Sequence, residues 1–375
     1  MNTSRRDFIQ MTAAAGAAGL ALGPRSGTER GSAIASPAPL RILILGGTGF
    51  IGPHLVRYVL GRGHIPTLFN RGRTNTHLFP EVEKLVGDRE NDLESLKGRT
   101  WDAVIDNSAS IPRWVRDSAQ LLKDSADVYL FTSTRSTYSD FTQIGMTEEA
   151  GPQFDVDPAL TDDPDVRLPY GQAKVLCEYE TKRAFPGRYL IVRPGLIVGP
   201  GDQTDRFTYW PARIHRGGEV LAPGEPENPV MFIDVRDLAE WYVHLLERGA
   251  RGALNALGPE APLSFAELLY GIRAITSTPV SFTWVATDFL LEHEVRPYSH
   301  MPLWMPARGD RAGFNRWDLS KPLAMGLKYR PLAVTAKDTL EFHLSRPLER
   351  QQELRAGITP QREAELLAAW KQTLP

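Results

Sequence analysis

The stretch from residue 40 to 52, LRILILGGTGFIG, restricts what this chain can fold into more than any other. Its apolar run, 42–45, ends directly in glycine, which is typical of a buried parallel β-strand. Glycines then recur every third residue, and a helix continues from Pro53. Such a turn lets the backbone approach a pyrophosphate and directs free N–H groups towards it. We therefore predict dinucleotide binding by the residues of this turn, namely Gly46, Thr48, Gly49, Phe50, Ile51 and Gly52.

Short apolar runs alternate with helical segments after this turn. They predict strands at 65–70, 83–86, 102–106, 128–131, 189–192 and 231–233, and a last strand that ends at 255–258. Helices are predicted at 114–122, from 168 onward and at 238–247. Strands that alternate with helices at this spacing indicate a doubly wound parallel sheet. The predicted fold class is therefore α/β, a Rossmann-type sheet with a smaller C-terminal substrate lobe.

The same pattern suggests how the chain is divided. We expect a dinucleotide-binding core over 36–200, to which 229–258 returns. The substrate lobe is expected over 201–228 and 259–345, where prolines and tryptophans suggest irregular but packed structure. A C-terminal helical tail over 346–375 completes the prediction.

The end of the second predicted strand bears on the choice of cofactor. An acidic residue at this place would hold a ribose 2′-hydroxyl, whereas arginine accommodates a 2′-phosphate. The chain has Asn70 followed by Arg71 and Arg73, with no carboxylate, so we expect NADP rather than NAD, which stays the alternative. Asp88, after the third strand, is expected either to contact adenine or to cap its own loop.

Hydroxyl groups and one Tyr/Lys pair mark the place of the chemistry. The fifth strand runs into Thr-Ser-Thr-Arg-Ser-Thr-Tyr at 132–138, and ligands of such sheets lie beyond the carboxyl ends of the strands. Tyr170 and Lys174 follow on a predicted helix, four residues apart and hence on one face.

These segments together resemble a known family, the extended branch of the short-chain dehydrogenase/reductases, which contains sugar epimerases and dehydratases. The matching pieces are the 46–52 turn, Phe-Thr-Ser-Thr at 131–134 with Tyr138, Tyr-Gly-Gln-Ala-Lys at 170–174, Arg-Pro-Gly at 193–195 with Gly199-Pro200, and the segment 232–239. The resemblance extends from about residue 40 to 260, and thinly to about 345.

By that resemblance, Thr134 takes the place of the active-site hydroxyl, Tyr170 that of the acid/base and Lys174 that of its partner. Arg193 is placed with the cofactor-binding residues on the same ground. Tyrosine ordinarily titrates near ~10, so a base at neutral pH requires a lowered pKa. We expect the Lys174 ammonium and a positive nicotinamide ring to lower it, Lys174 also to bond the nicotinamide ribose, and Thr134 to orient the substrate oxygen.

The substrate is less clearly indicated. Members of this branch that act on nucleotide sugars usually carry an asparagine where this chain has Leu196, which argues against a nucleotide-diphosphate substrate. Arg206 and Trp210 are candidates to hold a sugar or an anion, although residues four apart on a helix also serve in packing. The expected reaction is hydride transfer at a hydroxyl or carbonyl carbon of a sugar-like small molecule, with a reductase of a small carbonyl compound as the alternative.

A rival from another class is an RNA-binding protein. The glycine turn and Gly87-Asp88-Arg89 also look like a side group that contains chloroplast RNA-binding proteins. The formal charge of −2 and the Tyr170/Lys174 pair argue against nucleic acid. Eight scattered histidines and the single Cys177 predict no metal site.

The first 35 residues resemble a twin-arginine export signal. Ser-Arg-Arg-Asp-Phe-Ile at 4–9 precedes a weakly apolar run, and Ala35 ends a small-residue stretch suited to cleavage. The alternative is an unstructured N-terminus with a chance pair of arginines. Removing 1–35 takes away four arginines and two acids, which gives a charge of −4. We expect export through the twin-arginine machinery, cytoplasmic location if the signal is not used, and no membrane span. A homodimer is a possible assembly.

Overall fold

The computed structural model describes residues 38–107, 109–163 and 166–374. The predicted export signal at 1–35 lies outside the described residues. Within them, no helix combines the length and the apolar character that crossing a bilayer requires.

A seven-stranded sheet organises the described chain. Its spatial order is β3-β2-β1-β4-β5-β6-β11, and each strand runs parallel to its neighbours. The strands are β1 Arg41–Leu45, β2 Ile65–Asn70, β3 Glu83–Val86, β4 Trp101–Asp106, β5 Ala126–Thr132, β6 Tyr189–Pro194 and β11 Gly252–Ala256. The strand order reverses between β1 and β4, which is where such sheets bind ligands. The predicted doubly wound Rossmann-type fold is confirmed.

Helices and short strands complete the described chain. The helices are α1 Ile51–Gly61, α2 Pro112–Leu122, α3 Tyr170–Ala184, α4 Tyr209–Arg216, α5 Val235–Glu247, α6 Phe265–Arg273, α7 Thr287–Glu292, α8 Ser320–Ala324, α9 Leu332–Leu344, α10 Leu348–Gln352 and α11 Pro360–Thr373. The remaining strands are β7 Ile197–Val198, β8 Gly218–Pro223, β9 Pro229–Val230, β10 Ile233–Asp234, β12 Leu263–Ser264 and β13 Val280–Val285.

Both faces of the sheet are covered by helices, and successive side chains of a strand point to opposite faces. Ile42 and Ile44 pack in one core with the apolar faces of α1 and α5. Leu43 and Leu45 pack in a second core with α2 and α3. This double burial explains why β1 reads as an uninterrupted apolar run, and it fixes the carboxyl ends of the strands at one edge.

The C-terminal part differs from the expected irregular structure. It contains six described helices, α6 to α11, and the strand β13 pairs in parallel with β8. A separate apolar core lies here, with Trp210, Phe265 and Trp304 among its fully buried side chains. The strand expected at 231–233 is instead two short strands, β9 and β10. The prediction missed α6 to α9, which lie in the part expected to be irregular, whereas α10 and α11 lie in the segment 346–375 predicted as a helical tail.

One buried ion pair joins the loop after β3 to the end of β4. Arg89 donates through Nη1 and Nη2 to the two carboxylate oxygens of Asp106, at 2.6 Å and 2.8 Å. The Tyr129 hydroxyl donates to the same carboxylate at 2.8 Å, and Ser118 Oγ accepts from Arg89. Burial alone would raise the pKa of Asp106, but the Arg89 charge and these hydrogen bonds lower it. The carboxylate therefore stays ionised in the interior.

We predict that Asp106→Asn lowers the free energy of unfolding by about 3–5 kcal/mol, because the Arg89 charge stays buried without its counter-charge. Asp102→Asn, on the same strand but partly exposed, should cost less than about 1 kcal/mol. Urea unfolding of the three proteins measures both values.

The pH dependence of that difference has a definite sign. Since the folded-state pKa of Asp106 is lowered, its contribution is complete above the unfolded value of about 3.9 and declines as pH falls through the folded value. A gap between wild type and Asp106→Asn that closed already at pH 6 would contradict this assignment.

Candidate active site

Two neighbouring cavities open at the carboxyl edge of the sheet. The first, called the Tyr170 cavity here, has a volume of about 620 Å³, and its lining includes Phe50, Thr134, Tyr170, Lys174, Leu196 and Arg206. The second, the Arg71 groove, has a volume of about 240 Å³, and its lining includes Gly46, Thr48, Gly49, Asn70, Arg71 and Asp88. The helix α1 begins between them, since Phe50 and Ile51 line the first and Gly49 the second.

The glycine turn fits a phosphate-bearing ligand. Gly46 and Gly47 have φ of 117° and 97°, a conformation that favours glycine. A Cβ on Gly52 would lie 2.3 Å from the carbonyl carbon of Gly47, so only glycine lets α1 begin this close to the turn. A Cβ on Gly49 would meet no protein atom within 4 Å. The space beside Gly49 is therefore open to a ligand, as close approach to a pyrophosphate requires.

Asn70 holds the end of β2 against this turn. Its Oδ1 accepts from the Gly72 N–H at 2.8 Å, and its Nδ2 donates to the Gly46 carbonyl at 3.4 Å. Arg71 and Arg73 are exposed, and no ion pair to either is found within the described part of the chain. Their guanidinium groups are thus available to a phosphate at the groove.

Asp88 caps its own loop, which is one of its two predicted roles. Its Oδ1 accepts from the Glu90 N–H at 3.1 Å, which caps the loop after β3. It also lines the Arg71 groove, so the structure is compatible with a contact to a nucleotide base as well.

The ammonium of Lys174 is buried at the floor of the Tyr170 cavity. It donates to the carbonyl of Thr132 at 2.6 Å and to that of Ala109 at 2.8 Å, and it lies 4.1 Å from the centre of the Phe131 ring. Burial lowers the pKa of Lys174, and the nearby charges of Asp106 and Glu178 oppose this shift. An ammonium has three donors, so one N–H is left to meet a ligand hydroxyl.

Tyr170 begins α3, next to Thr134. The residue is 56% exposed. Partial removal of water from its hydroxyl nevertheless raises the pKa of Tyr170, and a hydrogen bond with Thr134 opposes this shift. The Lys174 ammonium is turned to two backbone carbonyls, and the lowered pKa expected for Tyr170 stays a prediction for the complex with the nicotinamide ring. Thr134 Oγ1 accepts from the Ser136 N–H at 3.1 Å, which leaves its own proton for another acceptor. In the protein alone, Tyr170 is therefore a proton donor.

Two residues predicted for the site do not reach either cavity. Arg193, predicted to bind cofactor, is buried and donates from Nε and Nη2 to Glu178 at 2.8 Å and 2.7 Å, and from Nη1 to the Tyr138 hydroxyl at 2.9 Å. Trp210, predicted for substrate, is fully buried, and its indole N–H donates to the Pro302 carbonyl at 2.7 Å. Arg193 braces α3 against β6, and Trp210 belongs to the C-terminal core.

Arg206 does line the Tyr170 cavity, and its loop is held from the C-terminal part of the chain. The neighbouring Asp205 is fully buried at φ 61°. Its carboxylate accepts from Arg346 Nη1 at 2.7 Å, from the Arg355 N–H at 2.9 Å and from the Arg350 guanidinium. The position of Arg206 therefore depends on residues far along the chain.

Sequence reasoning missed several side chains of the same cavity, and Arg135, Tyr298 and Phe314 are among them. Arg135 follows Thr134, whereas Tyr298 and Phe314 come from the C-terminal lobe. The position of Arg135 directly beside the predicted hydroxyl was a usable signal. Nothing in the sequence connects Tyr298 and Phe314 to this site.

Comparison with known proteins agrees with this geometry. Residues 42–256 match the family described as the NAD dependent epimerase/dehydratase family. The bovine (Bos taurus) epimerase family protein SDR39U1 is 26% identical over 258 residues, which are 64% of this chain and 82% of that protein. The 2-alkyl-3-oxoalkanoate reductase of Stenotrophomonas maltophilia is 28% identical over 269 residues, 64% and 77% of the two chains.

A third relative and two solved structures complete the comparison. The chloroplast stem-loop binding protein of 41 kDa b of Arabidopsis thaliana is 23% identical over 249 residues, 60% of either chain. UDP-glucose 4-epimerase of Thermotoga maritima with UDP-glucose superposes with a TM-score of 0.57 and 18% identity, over 80% of this chain and 98% of that one. Human SDR39U1 with NADPH gives 0.54 and 21%, over 80% and 99%.

Gly49 offers a test of nucleotide binding that leaves the fold intact. We predict that Gly49→Ala unfolds at the wild-type urea concentration but binds NADP roughly 10-fold or more weakly, because its methyl group enters the open space beside the turn. Gly61→Ala, at the other end of α1, should retain wild-type affinity, since its Cβ also meets no protein atom and lies away from the turn. Titration calorimetry gives the dissociation constants, and equal affinity in all three proteins would contradict the placement of the pyrophosphate.

Proposed function

The chain belongs to the NAD-dependent epimerase/dehydratase family, and on that premise we propose that it transfers hydride at a hydroxyl or carbonyl carbon of a sugar-like substrate, with Tyr170 as the acid/base. One observation carries the proposal: Thr134, Tyr170 and Lys174 line a single cavity that adjoins the glycine turn. A nicotinamide dinucleotide, when bound, supplies the hydride donor or acceptor.

The proposed roles follow from the contacts of each side chain. Tyr170, protonated in the protein alone, donates its hydroxyl proton to a substrate carbonyl oxygen and takes it back in the reverse direction. Thr134 hydrogen-bonds Tyr170 in the protein alone, and when substrate is bound its hydroxyl donates to the same substrate oxygen. Lys174 has one N–H left for a ribose hydroxyl of the cofactor. This hydrogen bond would orient the nicotinamide half of the cofactor towards the cavity.

We further propose NADP as the cofactor. The end of β2 presents Arg71 and Arg73 to the groove, and Asn70 stands where a carboxylate would select NAD. One relative of similar fold, human SDR39U1, has been solved with NADPH. NAD is the alternative, and the adenine-side contacts of Asp88 would serve either nucleotide.

The substrate proposed is a free or glycosidic sugar-like alcohol rather than a nucleotide sugar. Leu196, where nucleotide-sugar enzymes of this branch usually carry an asparagine, is buried and presents an apolar wall to the Tyr170 cavity. An apolar wall cannot replace the hydrogen bonds of an amide. Binding of RNA, by analogy with the chloroplast relative, is disfavoured by the acidic charge of the chain.

If residues 1–35 direct export, this restricts the type of reaction that the protein can sustain. A protein exported already folded must carry its cofactor with it, because no supply of nicotinamide nucleotide is evident outside the cytoplasm. A dehydrogenase would then stop after one turnover. A reaction that removes a hydride and returns it, such as epimerisation or internal dehydration, avoids this, and we propose such a closed redox cycle. A carbonyl reductase, the activity named for the Stenotrophomonas relative, is the alternative.

The proton-transfer role predicts a specific loss. Tyr170→Phe should lower kcat by about 10²- to 10⁴-fold while changing NADP affinity by less than about 3-fold, since only the transferring oxygen is removed. Tyr179→Phe, on an exposed position of the same helix, is the matched control. Turnover is followed with free and methyl-glycosidic sugars and small ketones, and a Tyr170→Phe protein that keeps most of its turnover contradicts the assignment.

Cofactor retention distinguishes the closed cycle from the reductase. We expect the full chain, purified from the exported fraction and desalted extensively, to release one NADP(H) for each chain on denaturation, identified by mass spectrometry. A protein that emerges free of nucleotide and consumes added NADPH with each turnover supports the reductase instead. Release of NAD rather than NADP would overturn the cofactor assignment alone.

A further inference from the structure

A buried guanidinium without a counter-charge lies in the wall of the Tyr170 cavity. The Arg135 side chain is only 6% exposed. It donates from Nη1 to the Phe314 carbonyl at 2.8 Å and to Asn315 Oδ1 at 3.1 Å, and from Nη2 to the Tyr298 hydroxyl at 3.1 Å. Its guanidinium carbon lies 4.0 Å from the centre of the Phe314 ring. All of these partners are neutral.

Such an arrangement is unfavourable for a protein that binds nothing there. A charge withdrawn from water is normally compensated by an opposite charge, and every other strongly buried arginine described above has a carboxylate partner: Arg89 has Asp106, Arg193 has Glu178 and Arg346 has Asp205. No carboxylate pairs with Arg135 among the described residues. Of its five N–H donors, the Nε–H and one Nη2–H make no hydrogen bond to a described group.

The remaining charges of the cavity add to this positive potential. Arg206 forms no ion pair within the described residues, and its Nε donates to Thr204 Oγ1 at 3.1 Å. Lys174 contributes an ammonium. Asp202 is the carboxylate that lines the cavity, and both of its oxygens accept from Thr204, at 2.8 Å and 2.9 Å. Three cations thus face one carboxylate that is already hydrogen-bonded.

We propose that this cavity recognises an anionic group of the substrate, a carboxylate or a phosphate, through Arg135 and Arg206. The inference rests on the proposed function and narrows its substrate to an acidic sugar-like molecule. A guanidinium edge binds two oxygens of such a group at once, which gives orientation as well as attraction. Arg135 and Arg206 line the same cavity as Thr134 and Tyr170, so the anionic group binds in the cavity in which hydride transfer is proposed.

The Tyr298 hydroxyl completes the subsite. It accepts a hydrogen bond from Arg135, so its own proton is free to be donated to the same anion. Tyr298 and Phe314 pack edge to face, with ring centres 5.5 Å apart, and both line the cavity. The aromatic wall fixes the guanidinium and offers an apolar surface for the carbon skeleton of the substrate.

The experiment titrates the full chain, saturated with NADP, with inorganic phosphate, D-glucuronate and D-glucose at constant ionic strength. NADP is present so that its own phosphate sites are filled. We expect at least one of the two anions to bind, and D-glucose to bind at least about 10-fold more weakly than D-glucuronate where the latter binds. Which anion binds distinguishes a phosphate subsite from a carboxylate subsite.

Three variants give the decision. Arg135→Met and Arg206→Met should each weaken anion binding about 10-fold or more, whereas Arg273→Met, exposed at the end of α6, should leave it unchanged. Because Arg206 lies on a separate loop, the Arg206→Met protein still tests the anion subsite if Arg135→Met does not fold. The proposal is overturned if neither anion binds the NADP-saturated wild type, or if the two variants bind the anion as tightly as the wild type does.

Failure of this inference is distinguishable from failure of the proposed function. NADP binding is measured first on the same protein. A chain that binds no NADP contradicts the proposed function and the substrate subsite together. A chain that binds NADP, but no anion, contradicts the subsite alone.

Discussion

The ammonium of Lys174 is the contact on which the candidate site depends. It reaches from α3 to the carbonyl of Thr132, at the end of β5, and to that of Ala109, after β4. A single buried charge therefore fixes the helix that carries Tyr170 to the edge of the sheet that carries Thr134. The cost of burying it is offset by two hydrogen bonds, the Phe131 ring and the charges of Asp106 and Glu178.

The sheet could be predicted because its determinants are local. Strands buried on both faces read as continuous apolar runs, and glycines appear where the backbone has no room for a side chain, as at Gly52. The bounds of β2 and β3 agree with the prediction residue for residue. The meeting of Thr134 with Tyr170 was also predictable, because parallel strands end at one edge and α3 begins there.

What the sequence concealed depends on partners that are distant along the chain. Arg193 looks like any arginine until its neighbours Glu178 and Tyr138 are known, and Trp210 is a core residue because Pro302 lies opposite its indole. Arg135 is the opposite case, because its sequence context predicts a turn residue and the fold places it in the cavity wall. Only the approach of Tyr298 and Phe314 from the C-terminal lobe buries it at the cavity. The pKa of Tyr170 is raised by burial in the chain without cofactor, where Lys174 is directed to the backbone, so the expected lowering stays a prediction for the complex with the nicotinamide.

The anchoring of Asp205 by Arg346, Arg350 and the Arg355 backbone has a consequence for biogenesis. A ribosome releases the glycine turn and all seven strands of the sheet before these arginines have been made. The nucleotide groove can therefore form and capture its ligand on the nascent chain, while the loop that bears Arg206 is fixed only once the end of the chain emerges. In this order of assembly, the nucleotide groove is complete before the loop on the substrate side is fixed.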